Sequence, residues 1–140
     1  MPEKQKIEYS QLEVGYEFPP SSYKLDSSMV TTYLKAVEDA SALYQDTVLV
    51  PPMAIAAHAM ASLSESICLP PGTIHVSQEF EFIDAVSIND TLISYAKVSR
   101  KQSRGKFHLL IVDLNVVNQN QKAVLTGKTS FILPEHSEDM

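Results

Sequence analysis

One segment of this 140-residue sequence constrains the fold more than any other: a helix-forming run that has no polar face. Pro51 and Pro52 open the run, and proline suits a first helical turn because the backbone N–H groups there have no partner. The residues that follow, up to Leu63, are alanine-rich and apolar nearly all round. A helix of this kind is a buried one, so we expect other elements of the chain to enclose it.

The segments available to enclose this helix are strand-like. After Gly72 the chain alternates between apolar and polar residues, which is the pattern of half-buried strands. The predicted strands cover residues 73–83, 91–99, 107–117 and 123–133. In the third of them, one face carries His108, Leu110, Val112, Leu114 and Val116. The short links between successive strands predict an antiparallel meander.

The segments before the apolar helix complete the predicted layout. Residues 21–25 favour a short strand, and residues 28–38 favour a helix that N-cap residue types precede. The expected fold class is α+β, with a long antiparallel sheet wrapped around a central apolar helix. The length fits one domain over residues 1–140, with an N-terminal arm at 1–22 and an acidic tail at 134–140.

Charge and cysteine content argue against several classes of function. The sequence has 11 Lys and Arg against 17 Asp and Glu, a net charge of −6, which disfavours a broad nucleic-acid-binding face. A single cysteine, Cys68, excludes an internal disulfide, and the histidines lack metal-ligand spacing, so we expect no metal. No stretch reaches the roughly 20 apolar residues of a membrane span. Residues 1–8 do not resemble a signal peptide, so we expect a cytoplasmic protein.

Three segments, taken in order, form a recognisable pattern. They are residues 33–44, the run Val50-Pro51-Pro52-Met53 with its alanine-rich helix, and the strand and turn residues between 71 and 92. Together they resemble the MaoC-like hot-dog family of (R)-specific enoyl-thioester hydratases and 3-hydroxyacyl-thioester dehydratases, over about residues 10 to 133. The resemblance implies an acyl thioester substrate. It implies no cofactor other than the coenzyme A or phosphopantetheine that the substrate carries.

The family's active-site pattern, Gly-Asp-x-Asn-Pro-x-His, aligns with residues 38–44. The resemblance therefore implies that Asp39 stands at the catalytic Asp and Tyr44 at the catalytic His, and these two are the candidate catalytic residues. Ser41, at the place of the Asn, and Val50 and Met53, beside the helix start, are candidate substrate-binding residues. Asp39 and Ser41 also suit an ordinary turn, and Tyr44 also suits a loop anchor that packs on the core.

Two departures from the family pattern affect the expected role of the chain. Tyr44 replaces the catalytic His, and Pro52, which has no N–H, takes the place of a glycine that helps to hold the thioester oxygen. This combination is similar to the half of two-part dehydratases that lacks the catalytic dyad. The resemblance thus implies a half that shapes the acyl tunnel, in a homodimer or in a heterodimer with a catalytic MaoC-like subunit.

A compact basic segment runs from the end of the second predicted strand to the start of the third. It contains five of the eleven basic residues: Lys97, Arg100, Lys101, Arg104 and Lys106. One interpretation is a solvated hairpin tip that discourages aggregation. The other is an anchor for the phosphates of coenzyme A or for an acidic carrier protein, with Arg100, Lys101 and Arg104 as substrate-binding residues.

Three functions are compatible with these observations. The first is a subunit of an acyl-thioester hydratase or dehydratase. The second is a non-catalytic protein that binds acyl-coenzyme A or an acyl carrier. The third is a hot-dog thioesterase, a class that generally uses a carboxylate on or beside the central helix, where this chain offers only Glu65.

Overall fold

The computed structural model describes residues 6–44 and 48–135. In chain order these ranges contain β1 (Ile7–Glu8), β2 (Ser21–Lys24), α1 (Ser27–Ala36), α2 (Pro52–Ser64), β3 (Ile67–Cys68), β4 (Ile74–Phe82), β5 (Thr91–Arg104), β6 (Phe107–Val117) and β7 (Ala123–Pro134). The first residues of the predicted arm, 1–5, and most of the predicted acidic tail, 136–140, lie outside the described residues.

An antiparallel sheet of five strands, in the order β2-β5-β6-β7-β4, forms the framework, so the α+β class is confirmed. Strands β5, β6 and β7 are successive neighbours, as a meander requires. The meander prediction is wrong for β4, which pairs with β7 at the far edge. The link over residues 83–90 is too long for a tight hairpin, and its Val86 is only 2% exposed. This packed link carries the chain across to β5.

The helix α2 packs against one face of the sheet, which we call the inner face; the opposite one is the outer face. The inward residues predicted for β6 are confirmed, because Leu110, Val112 and Val116 are fully buried. One buried cluster surrounds the first turns of α2, and a second surrounds its end at Leu63. Leu12, from the N-terminal arm, closes the second cluster.

One side of α2 is open to solvent, contrary to the prediction that the helix is enclosed all round. Met53 is 50% exposed, and Ala57 and Ala61 on the same side are also exposed. The cause is geometric, because the sheet covers only the opposite side of the helix. None of the helices in the described ranges has the length and apolar character needed to cross a membrane.

A bulge in β5 reverses which side chains face inward. Before it, Ser94 and Val98 are buried on the inner face. The register then shifts between Val98 and Arg100, so that Arg100 pairs with Ile111 and Lys101 pairs with the inward Leu110. Beyond the bulge, Lys101 therefore faces inward and Arg100 faces outward.

Candidate active site

The candidate site begins where α1 ends. Glu38 has a φ of 57°, in the left-handed region. The Glu38 N–H donates to the carbonyl of Lys35 at 3.2 Å, and the Asp39 N–H donates to the carbonyl of Leu34 at 2.9 Å. These are the two hydrogen bonds of a Schellman motif, which ends the helix and turns the chain back toward it. Asp39 is thereby placed beside α1.

Asp39 and Ser41 organise the segment that follows. The Asp39 carboxylate accepts a hydrogen bond from the Ser41 N–H at 2.8 Å, and the Ser41 hydroxyl accepts one from the Leu43 N–H at 3.2 Å. These contacts are those of the turn interpretation. They lead into a single turn of 3₁₀ helix, Ala42–Tyr44, which brings the Tyr44 side chain to the same side as Asp39.

Asp39 and Tyr44 line one cavity of about 630 Å³. Most of the remaining wall comes from α1 and from the link before β5: Ser27, Val30, Thr31, Leu34, Lys35, Glu38, Ala40 and Ile88. The carboxylates of Glu38 and Asp39, a phenol and an ammonium group thus share a mixed polar and apolar cavity, which has the size that holds small-molecule ligands. The structure therefore brings the two candidate catalytic residues together.

Tyr33 of α1 does not line the cavity, but it lies within electrostatic reach of two residues that do. Burial raises its pKa above the ordinary 10.0, and the Asp39 carboxylate and the Tyr44 hydroxyl raise it further. The three groups therefore lie within electrostatic reach of one another. Lys35, four residues before Asp39, lines the cavity. Asp39 lies beyond the end of α1, so helical spacing alone does not predict that these residues approach it.

The other candidate substrate-binding residues near α2 lie away from this cavity. Ser41 is exposed, and its hydroxyl is engaged with the Leu43 N–H. Val50 is buried in the core cluster around the first turns of α2. Met53 is half exposed on the open side of α2. Ser41 contacts Asp39 through its backbone N–H, but none of the three side chains lines the Asp39 cavity.

The basic residues of the β5–β6 hairpin lie at the other end of the sheet. At ~3.3 Å per residue, Arg100 and Arg104 are about 30 and 43 Å along β5 from Thr91, where the link from the cavity enters the strand. Lys101 lies between them in the strand, with its side chain on the opposite face. Its ammonium donates to the Leu12 carbonyl at 2.7 Å and lies 4.7 Å from the centre of the Tyr9 ring. Lys101 thus holds the N-terminal arm against β5.

The cavity does not present a complete acid–base set. Among the described residues no histidine lines it, and His58 of α2 instead stacks on Tyr23, with 4.0 Å between ring centres. The start of α2 offers few donors, because Pro51 and Pro52 have no N–H. Within the described ranges, no three His, Cys, Asp or Glu side chains are grouped as metal ligands.

Comparison with known proteins identifies the family. Residues 13–127 match the model of a family described as FAS1-like, dehydratase domain region. No curated protein matches the sequence at a significant level.

Solved structures share the fold at low sequence identity. The R-hydratase PhaJ1 from Pseudomonas aeruginosa is 23% identical with a TM-score of 0.78, over 95% of this chain and 89% of that chain. The (R)-hydratase from A. caviae is 18% identical with a TM-score of 0.71, over 89% and 98%. The HadBC complex from Mycobacterium tuberculosis, a 3R-hydroxyacyl-ACP dehydratase, is 16% identical with a TM-score of 0.63, over 85% and 96%.

These structures confirm the hot-dog fold, in which the sheet wraps the helix. The family match extends over most of the chain, from the N-terminal arm into β7. It includes the Asp39 cavity and the whole of α2. The chain therefore belongs to the MaoC-like dehydratase family, in the group described as the FAS1-like dehydratase domain region.

Proposed function

We propose that this chain is one subunit of an acyl-thioester hydratase or dehydratase, which interconverts 3-hydroxyacyl and enoyl thioesters of coenzyme A or phosphopantetheine. In this assembly the chain forms the half that shapes the acyl tunnel, and a second hot-dog chain supplies the carboxylate and imidazole. The observation that carries the proposal is the cavity in which Asp39 is accompanied by Tyr44 and not by an imidazole.

The chemistry explains why this cavity is incomplete as a catalyst. Dehydration removes an α-proton and expels a β-hydroxyl, so it needs a base, an acid and donors for the thioester oxygen. Imidazole titrates near neutrality, whereas a phenol with an ordinary pKa of about 10 is a poor base at pH 7. The Asp39 carboxylate already accepts the Ser41 N–H. Pro51 and Pro52 provide no N–H for the oxygen.

Exposed apolar side chains on the segments between α1 and the open side of α2 suit an acyl chain or a partner. They are Val37, Leu43, Val48 and Met53. A cluster of apolar surface on a small domain marks an interaction site more often than a free surface. This supports a site that a substrate and a second chain complete together.

The edge strand β4 is the place where we expect the second chain to add. Its outer edge has no neighbouring strand among the described residues. Ile74, Val76 and Phe82 are 58%, 49% and 44% exposed. The strand contains neither proline nor lysine, and its charged residues are Glu79 and Glu81, which lie toward one end. The structural relative HadBC is itself a complex.

A binding experiment tests whether the Asp39 cavity receives the thioester. Thr31 is an exposed residue of α1 that lines the cavity, and its neighbour Thr32 does not line it. We expect crotonyl-coenzyme A to bind the wild-type chain in calorimetry. We also expect Thr31→Trp to weaken binding at least about ten-fold, because the added indole would occupy volume in the cavity that the thioester needs.

Thr32→Trp is the matched control, because it adds the same indole one residue away. It should leave the affinity unchanged. Equal affinity of the Thr31→Trp and Thr32→Trp proteins, or no saturable binding by the wild type, would remove the proposed substrate site.

A further inference from the structure

A second cavity lies on the outer face of the sheet, at the end away from Asp39. It is a groove of about 520 Å³ along the β5–β6 hairpin. Arg100, Gln102 and Arg104 form one wall, and Phe107 and the β6 and β7 side chains beside it form an apolar floor. The far wall is the apolar start of β4. The groove therefore has a cationic side and an apolar side.

The two arginines of this groove are available for an acidic ligand. The Arg100 guanidinium donates to the Gln102 amide oxygen at 2.7 Å, a neutral partner that leaves its charge uncompensated. Among the residues that the structure describes, neither Arg100 nor Arg104 has an ion-pair partner. In a chain of net charge −6, this concentration of cations on one surface would attract and orient an acidic ligand.

The geometry limits what can occupy the groove. Strands β6 and β7, which form the floor, each have a neighbour on both sides, so an extended segment cannot pair with the backbone of the floor. Arg100 and Arg104 are about 13 Å apart along the strand at ~3.3 Å per residue, so one small anion cannot reach both. A helix forms its backbone hydrogen bonds internally, so it needs no strand partner. Two of its residues eight positions apart are separated by about 12 Å along the axis.

We propose that the outer-face groove is a docking surface for an acidic amphipathic helix of a partner protein. Two carboxylates about two turns apart would meet Arg100 and Arg104, and the adjacent apolar stripe would lie on Phe107 and the floor. Arginine and aromatic side chains in one patch are the residues that dominate protein interfaces. The groove lies at the opposite end of the sheet from Asp39, so this proposal stands apart from the catalytic one.

The experiment uses a designed helical peptide of about 15 residues, ~22 Å long, with two Glu eight positions apart beside a stripe of Leu. Its affinity is measured by fluorescence anisotropy with the full chain. We expect the double variant Arg100→Glu, Arg104→Glu to bind at least about ten-fold more weakly, because close charge pairs at interfaces couple strongly. Phe107→Ala should weaken binding as well, and thermal melting verifies that each variant is folded.

Matched controls separate this docking surface from general attraction. Lys24→Glu with Lys122→Glu makes the same change in net charge at exposed residues outside the groove, and it should leave the affinity unchanged. A peptide with Gln in place of both Glu should bind weakly. Equal loss in both double variants, equal binding of the Gln peptide, or no saturable binding at millimolar peptide would overturn the proposal. So would arginine-dependent binding to phosphatidylglycerol vesicles without peptide binding, since that result would assign the groove to a membrane surface.

Discussion

The backbone of Glu38 determines where the Asp39 carboxylate lies. Its φ of 57° is one that glycine adopts freely and that a residue with a Cβ adopts at a cost of about 1 kcal/mol. We predict that Glu38→Gly raises the free energy of unfolding in urea by about 0.5–1 kcal/mol. Glu13→Gly, at an exposed residue without this conformation, should lower it slightly. A less stable Glu38→Gly protein would show that the left-handed backbone carries no strain.

His58 gives the fold a dependence on pH. Burial lowers its pKa below the ordinary 6.5, and the Glu65 carboxylate opposes this shift only in part. The folded state thus binds the proton less tightly than the unfolded state. The stability contributed by neutral His58 is complete above about pH 6.5 and is lost as the pH falls through the folded pKa.

We therefore predict that the wild type loses more stability than His58→Gln when the pH is lowered from about 7.5 to 5. Urea denaturation at each pH measures the difference. His75→Gln is the control, because His75 is exposed on β4, and this variant should decline as the wild type does. Parallel decline of the wild type and His58→Gln would contradict a buried, neutral His58.

Part of the candidate site could be predicted at the residue scale. Asp39 and Tyr44 lie in one short segment, so a motif alignment was enough to pair them. Tyr33 and Lys35 could not be added in this way, because their approach depends on the left-handed turn at Glu38. The alignment also proposed Val50 and Met53, and only the packing of α2 shows that one is buried and the other faces away from the cavity.

At the scale of the elements, Gly127 of β7 leaves no space for a side chain beside β4. A Cβ at this position would lie 2.8 Å from the Glu79 carbonyl oxygen and 2.9 Å from the Phe80 ring. We predict that Gly127→Ala lowers the free energy of unfolding by about 1–3 kcal/mol, because β4 must move. Thr126→Ala, on the neighbouring outward position, should change it by about 0.5 kcal/mol or less. Unchanged stability of Gly127→Ala would mean that β4 can move to make room for the Cβ without a loss of folding free energy.

Periodicity predicted the existence of the elements well and their arrangement less well. The alternation of apolar residues in β6 indicates its inner face directly. It cannot show the bulge in β5, which sends Lys101 to the inner face and the two arginines to the outer face. It also cannot show which edge β4 joins, because that choice depends on the packed link around Val86. The basic segment was therefore visible in the sequence, whereas the face that each of its residues occupies was not.

The whole molecule has two regions of functional interest at opposite ends of one sheet. The Asp39 cavity lies at the start of β5, and the arginine groove lies at the tip of the β5–β6 hairpin. The net charge of −6 is the sum over the whole chain, so it does not show the separate basic surface at the hairpin. A single ligand that contacts both regions of one chain would have to span about 30 Å or more. Substrate and partner recognition are thus separable in this account.

The exposed edge of β4 leads us to a prediction about assembly. In the absence of the catalytic chain we expect two copies of this chain to pair through the same edge, and we expect Phe82→Lys to shift the protein to the monomer, because a further charged side chain on an edge strand opposes pairing. Light scattering after gel filtration measures the mass of each protein. Val14→Lys, at another exposed apolar residue outside β4, should leave the mass unchanged. A monomeric wild type, or equal masses for wild type and Phe82→Lys, would contradict edge pairing.

The most direct test of the central claim is the hydration of crotonyl-coenzyme A by the wild type and by Tyr44→His, measured side by side. If Tyr44 is the reason that this chain lacks its own acid–base pair, the wild type alone produces no turnover. Tyr44→His then gains measurable turnover, and adding Asp39→Asn abolishes it. Efficient hydration by the wild-type chain alone, lost in Asp39→Asn, would contradict the account and make this chain the catalyst.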